Sequence, residues 1–280
     1  MISLVLAEQR RLLSRRITRF FPLILATLMI LGGILAIVLI NVNDGSVDFV
    51  NDLLVADTGP SEDGVPDQGI QILCPLGFLI PIMGFVIAAS YFGADERAGM
   101  IEHLLTWEPR RWRLLLARAI SGSFWIFVIS SLLSALFVGV LWSIAAGAGT
   151  TDGMTSELWS MVGGTIVRSG ITGSLFFLLG LGFTVLINSS IGAIVSFLIY
   201  AFVVELIIGN ILPVVGSRLP MTNASTFVFG ADLFVTPGPF DSATESYIQH
   251  GYIMAGIIVL IWGLVMLGAA FARFQTRDVD

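Results

Sequence analysis

Stretches of about 20 predominantly apolar residues alternate with shorter polar segments along this 280-residue chain. A helix rises 1.5 Å per residue, so about 20 such residues cross a hydrocarbon core of about 30 Å. Six stretches qualify: 20–41, 70–92, 119–146, 164–187, 191–212 and 251–272. They predict an all-α integral membrane protein, a single transmembrane domain over residues 1–280. The first stretch is too long for a cleaved signal peptide and reads as a retained span. Ahead of it, in residues 1–19, Leu4, Val5, Leu12, Leu13 and Ile17 share one helical face. Arg10, Arg11, Arg15 and Arg16 occupy the remainder, the pattern of an amphipathic helix lying at the membrane interface. The apolar run that starts at Leu158 is interrupted by Arg168 and reads as a short interfacial helix leading into the fourth span. Asn188, Ser189 and Ser190 predict a tight turn between spans four and five.

Two regions between spans differ in kind. Residues 42–69 carry seven acids and no base, which predicts a solvated extracellular loop. Residues 213–250 are also assigned to the extracellular side, yet hold Met221, Phe227, Phe229, Leu233 and Phe234. A loop this apolar is expected to dip into the membrane surface or to pack over the bundle.

Composition agrees and narrows the chemistry. The chain is 56% hydrophobic and 12% charged, against about 25% charged in ordinary soluble domains. All 14 basic residues are arginines. Without lysine there is no Walker A loop, no Schiff base and no Ser–Lys dyad, so ATP hydrolysis or amine catalysis within this chain is not expected. Cys74 is the one cysteine, which excludes an intrachain disulfide. His103 and His250 lack a second ligand at metal-binding spacing, and no metal is expected. With six spans, 12 of the 14 arginines fall on one side, which the positive-inside rule makes cytoplasmic. The expectation is a multi-pass protein of a bacterial plasma membrane with both termini cytoplasmic.

Arg168 and Glu205 are the ionisable residues inside predicted spans. An unpaired charge at the centre of a span costs about 2.5–3.5 kcal/mol on insertion scales. Measured from the 188–190 turn they lie about 31 Å and 23 Å along their helices. They are candidates for an ion pair or for the lining of a substrate pathway. The plainer alternatives are snorkelling by Arg168 and a packed, satisfied Glu205.

The polar stretch Gly93 to Arg118 stands apart because it is long and dense in arginine. Within 94–107, Met100, Ile101, Leu104 and Leu105 share a helical face, and Pro109 sets a corner before a basic helix enters span three. The run Glu96, Gly99, Glu102, Leu104, Leu105, Thr106, Pro109, Arg110, Arg111 resembles the signature of type 2 ABC transporter permeases. The six-span layout, amphipathic N-terminus and apolar segment before the last span are similar too. Trp107 and Glu108 depart from the pattern, standing where many members have small residues.

The resemblance implies the type V exporter fold and a permease subunit, not itself an enzyme. Residues 94–107 would then be the coupling helix seated in a separate ATPase subunit, with Glu96, Gly99, Met100, Ile101, Glu102, Leu104, Leu105, Thr106 and Pro109 at that contact. ATP and Mg would belong to the partner ATPase, with no cofactor in this chain. A second permease copy or paralogue would complete the membrane unit, in contact with membrane lipid and not with nucleic acid. Two other readings stay open at this point: a non-transporting membrane anchor or regulator of an ATPase, and a membrane-embedded enzyme.

Overall fold

The computed structural model describes residues 2–44, 74–97, 110–148, 155–230, 233–235 and 247–276. Helix α1 (Ile2–Ser14) breaks at Arg15 before α2 (Arg16–Asp44). Then come α3 (Cys74–Arg97), α4 (Arg111–Ala148) and α5 (Ser156–Ile187). The fifth span is composite: α6 (Ser190–Ile199), a π-helical turn (Tyr200–Val204) and α7 (Glu205–Ile211). A one-turn α8 (Pro213–Gly216) and α9 (Pro220–Phe229) precede the last span, α10 (Tyr252–Thr276). Among the described residues, six helical stretches are long and apolar enough to cross a membrane. The protein is therefore a helical, multi-pass membrane protein. Among the described residues the one non-helical element is an antiparallel ribbon of β1 (Leu233–Val235) and β2 (Tyr247–His250).

Helix α5 is the hub, packing on α3, α4 and α10. Its glycines permit this. A Cβ added at Gly180 would meet the carbonyl oxygen of Phe85 at 2.7 Å, and one at Gly182 would meet the Met266 backbone at 2.6 Å. Small residues let membrane helices approach until backbones touch. Phe85, Phe176 and Phe177 fill the space around those contacts and are fully buried. The opposite faces of α2, α6–α7 and α10 expose Leu, Ile and Val, as a lipid-facing surface does. Helix α4, at 38 residues, is about 57 Å long and exceeds the hydrocarbon core.

One sequence expectation is corrected. Residues 158–163 are not a separate interfacial helix, because α5 runs unbroken from Ser156 through Arg168 to Ile187. Thr155 starts it by accepting a hydrogen bond from the Leu158 N–H. It ends where Asn188 takes the left-handed conformation at φ 60° and returns its N–H to the Thr184 carbonyl. Ser189 then caps α6 by accepting from the Gly192 N–H, so the predicted turn joins two capped ends.

The apolar segment after span five turns back into the bundle. The helix stops at Leu212, where Pro213 follows and disfavours its helical backbone. The chain folds back so closely that a Cβ on Gly216 would lie 2.6 Å from the Gly209 Cα. Helix α9 then lies against α3, α5 and α10, with Met221, Ala224 and Val228 buried.

Candidate functional site

Among the described residues, the charged side chains that the fold buries or half-buries gather in two places. The first is at the arginine-rich end, where α1, the end of α3 and the start of α4 meet. Asp95, only 3% exposed, sits in the last turns of α3. It receives Arg118 Nη2 of α4 at 2.8 Å, Arg11 Nη2 of α1 at 3.2 Å, and Arg15 from the break between α1 and α2. Glu8, on the buried face of α1, pairs with Arg11 at 3.0 Å and lies 3.7 Å from Arg118 Nε. The Tyr91 hydroxyl donates to the Glu8 carboxylate. The Tyr91 ring lies beneath two guanidiniums, Arg15 at 4.9 Å and Arg118 at 5.6 Å.

Burying Arg118 completely would be prohibitive without this arrangement, since the effective penalty is several kcal/mol per ion. The network offsets it with two carboxylates and the faces of Tyr91 and Phe92. Three arginines against two acids leave one positive charge in excess within the cluster. Chain order supplies the significance. Asp95 precedes the polar segment 98–109 and Arg118 follows it, so their ion pair closes that segment at its base.

Sequence reasoning passed over this cluster. Glu8 stands among the apolar residues of α1, and Asp95 reads as one more acid of a polar loop. The available signal was the spacing of Glu8 and Leu12, which share a face four residues apart. Of the residues expected from the sequence at an ATPase contact, Glu96 falls in the last turn of α3. Gly99, Met100, Ile101, Glu102, Leu104, Leu105, Thr106 and Pro109 lie outside the described residues.

The second place holds Arg168 and Glu205, which serve the two ends of α9 and do not contact each other. Leu219, at the N-cap, has no side chain to accept the first N–H groups of that helix. Glu205 takes over the task. Its carboxylate accepts from the Thr222 N–H at 2.6 Å, the Thr222 hydroxyl at 2.9 Å and the Met221 N–H at 3.3 Å. The Tyr200 hydroxyl lies beside the same carboxylate, buried and outside ideal hydrogen-bond geometry. At the other end Arg168 donates to the carbonyls of Val228 at 3.1 Å and Phe229 at 3.4 Å, and stacks over Tyr252 at 5.4 Å. An acid at the N-terminus and a base at the C-terminus both match the helix dipole, each by up to about 2 kcal/mol in partly buried settings. Of the sequence alternatives, the ion pair does not form; Glu205 is packed and satisfied, and the two charges clamp α9 from its opposite ends.

Asn223 of α9 extends the clamp. Its Nδ2 donates to the carbonyls of Ser217 and Leu219 at 2.8 and 2.7 Å, which fixes its Oδ1 as the acceptor for His250 Nε2 at 2.8 Å. The His250 Nδ1 is then the bare nitrogen, buried without a partner. Protonating it would bury an unsatisfied N–H, so desolvation lowers the His250 pKa, with Arg218 adding to the effect.

No curated protein matches the chain. A family model described as a protein of unknown function (DUF2705) matches residues 23–279, taking in everything from the first span to the last and leaving out α1. The chain belongs to that family, DUF2705.

Proposed function

We propose that this chain is the membrane-spanning permease subunit of an ATP-binding cassette transporter, an exporter driven by separate ATPase subunits at the arginine-rich, cytoplasmic end. The ion pair between Asp95 and Arg118 is the observation that carries the reading. A segment that receives force from a motor must deliver it to the spans. Here both strands leaving the segment are bound to each other and to α1 by buried charge. A push on 98–109 therefore reaches α1, α3 and α4 together. Helix α3 in turn packs along the hub α5 and α9, which gives the motion a path toward the opposite end. A loop that merely joins two spans has no need of such a base. Two permeases and two ATPases would form the working unit, with ATP and Mg held by the ATPases.

The experiment is co-expression with an ABC ATPase from the same genome, chosen by gene proximity, followed by purification through a tag on this chain. Stoichiometric capture is expected, lost when Glu102→Arg is combined with Leu104→Ala and Leu105→Ala. ATP turnover in liposomes that rises with transported cargo separates a permease from a passive anchor. Capture unaffected by the triple substitution sinks the coupling role of the segment.

A further inference from the structure

Beneath the N-terminal end of α9 lies a cavity of about 150 Å³. Phe85 of α3, Phe183 of α5, Phe197 of α6, Tyr200 of the π-turn and Trp262 of α10 line it, with Pro220 of α9 as its roof. Leu179 and Met266 complete the lining, so five of its eight residues are aromatic. Phe85 and Phe197 stack at 3.8 Å and 9°, while Phe183 meets Phe85 at 5.8 Å and 58°, so the wall offers both ring faces and ring edges. Polar groups are few. The Trp262 Nε1 is already spent on the Arg218 carbonyl. The Tyr200 hydroxyl is buried beside Glu205, so the wall itself is apolar. Tyr200 is ten residues along from Ser190, about 15 Å from the 188–190 turn and near the middle of a bilayer core. The neighbouring residues Ile199, Phe202 and Val203 are exposed on the outer face, so one helix separates the cavity from lipid. That helix has its π-turn at this level, and such turns are recurrent at functional positions.

We propose that this cavity binds the ring of a small aromatic molecule as cargo of the transporter proposed above, a reading on which that assignment as cargo rests. An apolar cavity of this size stays dry and accepts a benzene-sized guest. Five surrounding rings favour an aromatic guest, through offset stacking and edge contacts, over a saturated one. A whole acyl chain is several times too large for the volume. Helix α9, held at both ends by Glu205 and Arg168, is the roof that must shift for such a guest to leave on that side.

The test uses the full chain in phosphatidylcholine nanodiscs, without any ATPase, and the phenyl-bearing photolabel trifluoromethyl phenyl diazirine. Saturable labelling of the peptides holding Tyr200 and Trp262 is expected, reduced several-fold by excess toluene. Leu179→Trp fills the cavity and should reduce it likewise; Met266→Phe is a milder filling that keeps the test open if the first variant misfolds. Labelling confined to lipid-facing positions such as Leu264, or insensitive to toluene, overturns the proposal. So does equal labelling of the cavity by a diazirine carried on the lipid acyl chain, which would make bilayer lipid the occupant. Because no ATPase is present, saturable ring binding by a chain that captures no ATPase leaves the site standing and removes its assignment as cargo. ATPase capture without ring binding does the reverse.

Discussion

Removing the Asp95 carboxylate is the sharpest perturbation that the arginine-end cluster allows. Asp95→Ala takes away the acceptor shared by Arg11, Arg15 and Arg118. Arg118 has no exposed surface and would keep Glu8, at 3.7 Å, as its remaining carboxylate among the described residues. Breaking a buried pair by deleting one partner costs about 3–5 kcal/mol, chiefly because the other charge is left uncompensated. The cheapest relief is to let α1 peel away, since two of the three arginines belong to α1 and the residue just after it. Each 1.4 kcal/mol is tenfold in an equilibrium constant, so opening of α1 should rise about a hundredfold or more. Amide hydrogen exchange in nanodiscs reads this directly: faster exchange is expected in residues 2–14, with α5 unchanged. A second variant, Asp95→Ala with Arg118→Met, removes both charges and should recover much of the protection, because neutral replacement of a buried pair is often nearly free. High salt should change little, as buried pairs are weakly screened. Unchanged exchange in Asp95→Ala, or a double variant worse than the sum of its parts, would refute the reasoning.

Other outcomes follow from the same physics. Glu205→Leu should cost about 1–3 kcal/mol by orphaning the Met221 and Thr222 N–H groups, seen as lower thermal stability; Glu205→Gln keeps an acceptor and should cost less. Gly180→Ala drives a Cβ to 2.7 Å from the Phe85 carbonyl, whereas Gly163 faces open space. The first should destabilise by about 1–3 kcal/mol, and Gly163→Ala should stabilise by up to about 1 kcal/mol, compared by thermal unfolding. The pKa of His250 is held below its ordinary 6.5, so the unfolded chain binds its proton first as pH falls. Stability is then fully present above about 6.5 and declines below it until the folded group itself protonates. His250→Gln should flatten that acid limb in a pH series of melting temperatures.

Much of this protein was written in local pattern. Six apolar stretches of crossing length, the arginine asymmetry and the 188–190 turn are properties of short windows, because partition into lipid and helix capping depend on residues near in sequence. Arg168 and Glu205 could be singled out for the same reason, since a charge in an apolar run stands out. What each charge touches was a different matter. Glu205 meets residues 16 and 17 positions away, Arg168 meets Val228 and Phe229, and Tyr91 meets Glu8 83 positions away. Helix α9 itself was hidden in an apolar loop, because its N-cap is a leucine and the capping group lies on another span. The sequence alone determined which parts of the chain are long and apolar enough to cross a membrane, since each window balances its own transfer free energy. Only the tertiary structure decided which buried charge meets which partner, because those contacts depend on how α3, α5 and α9 approach one another, and their glycines and aromatic rings settle that together.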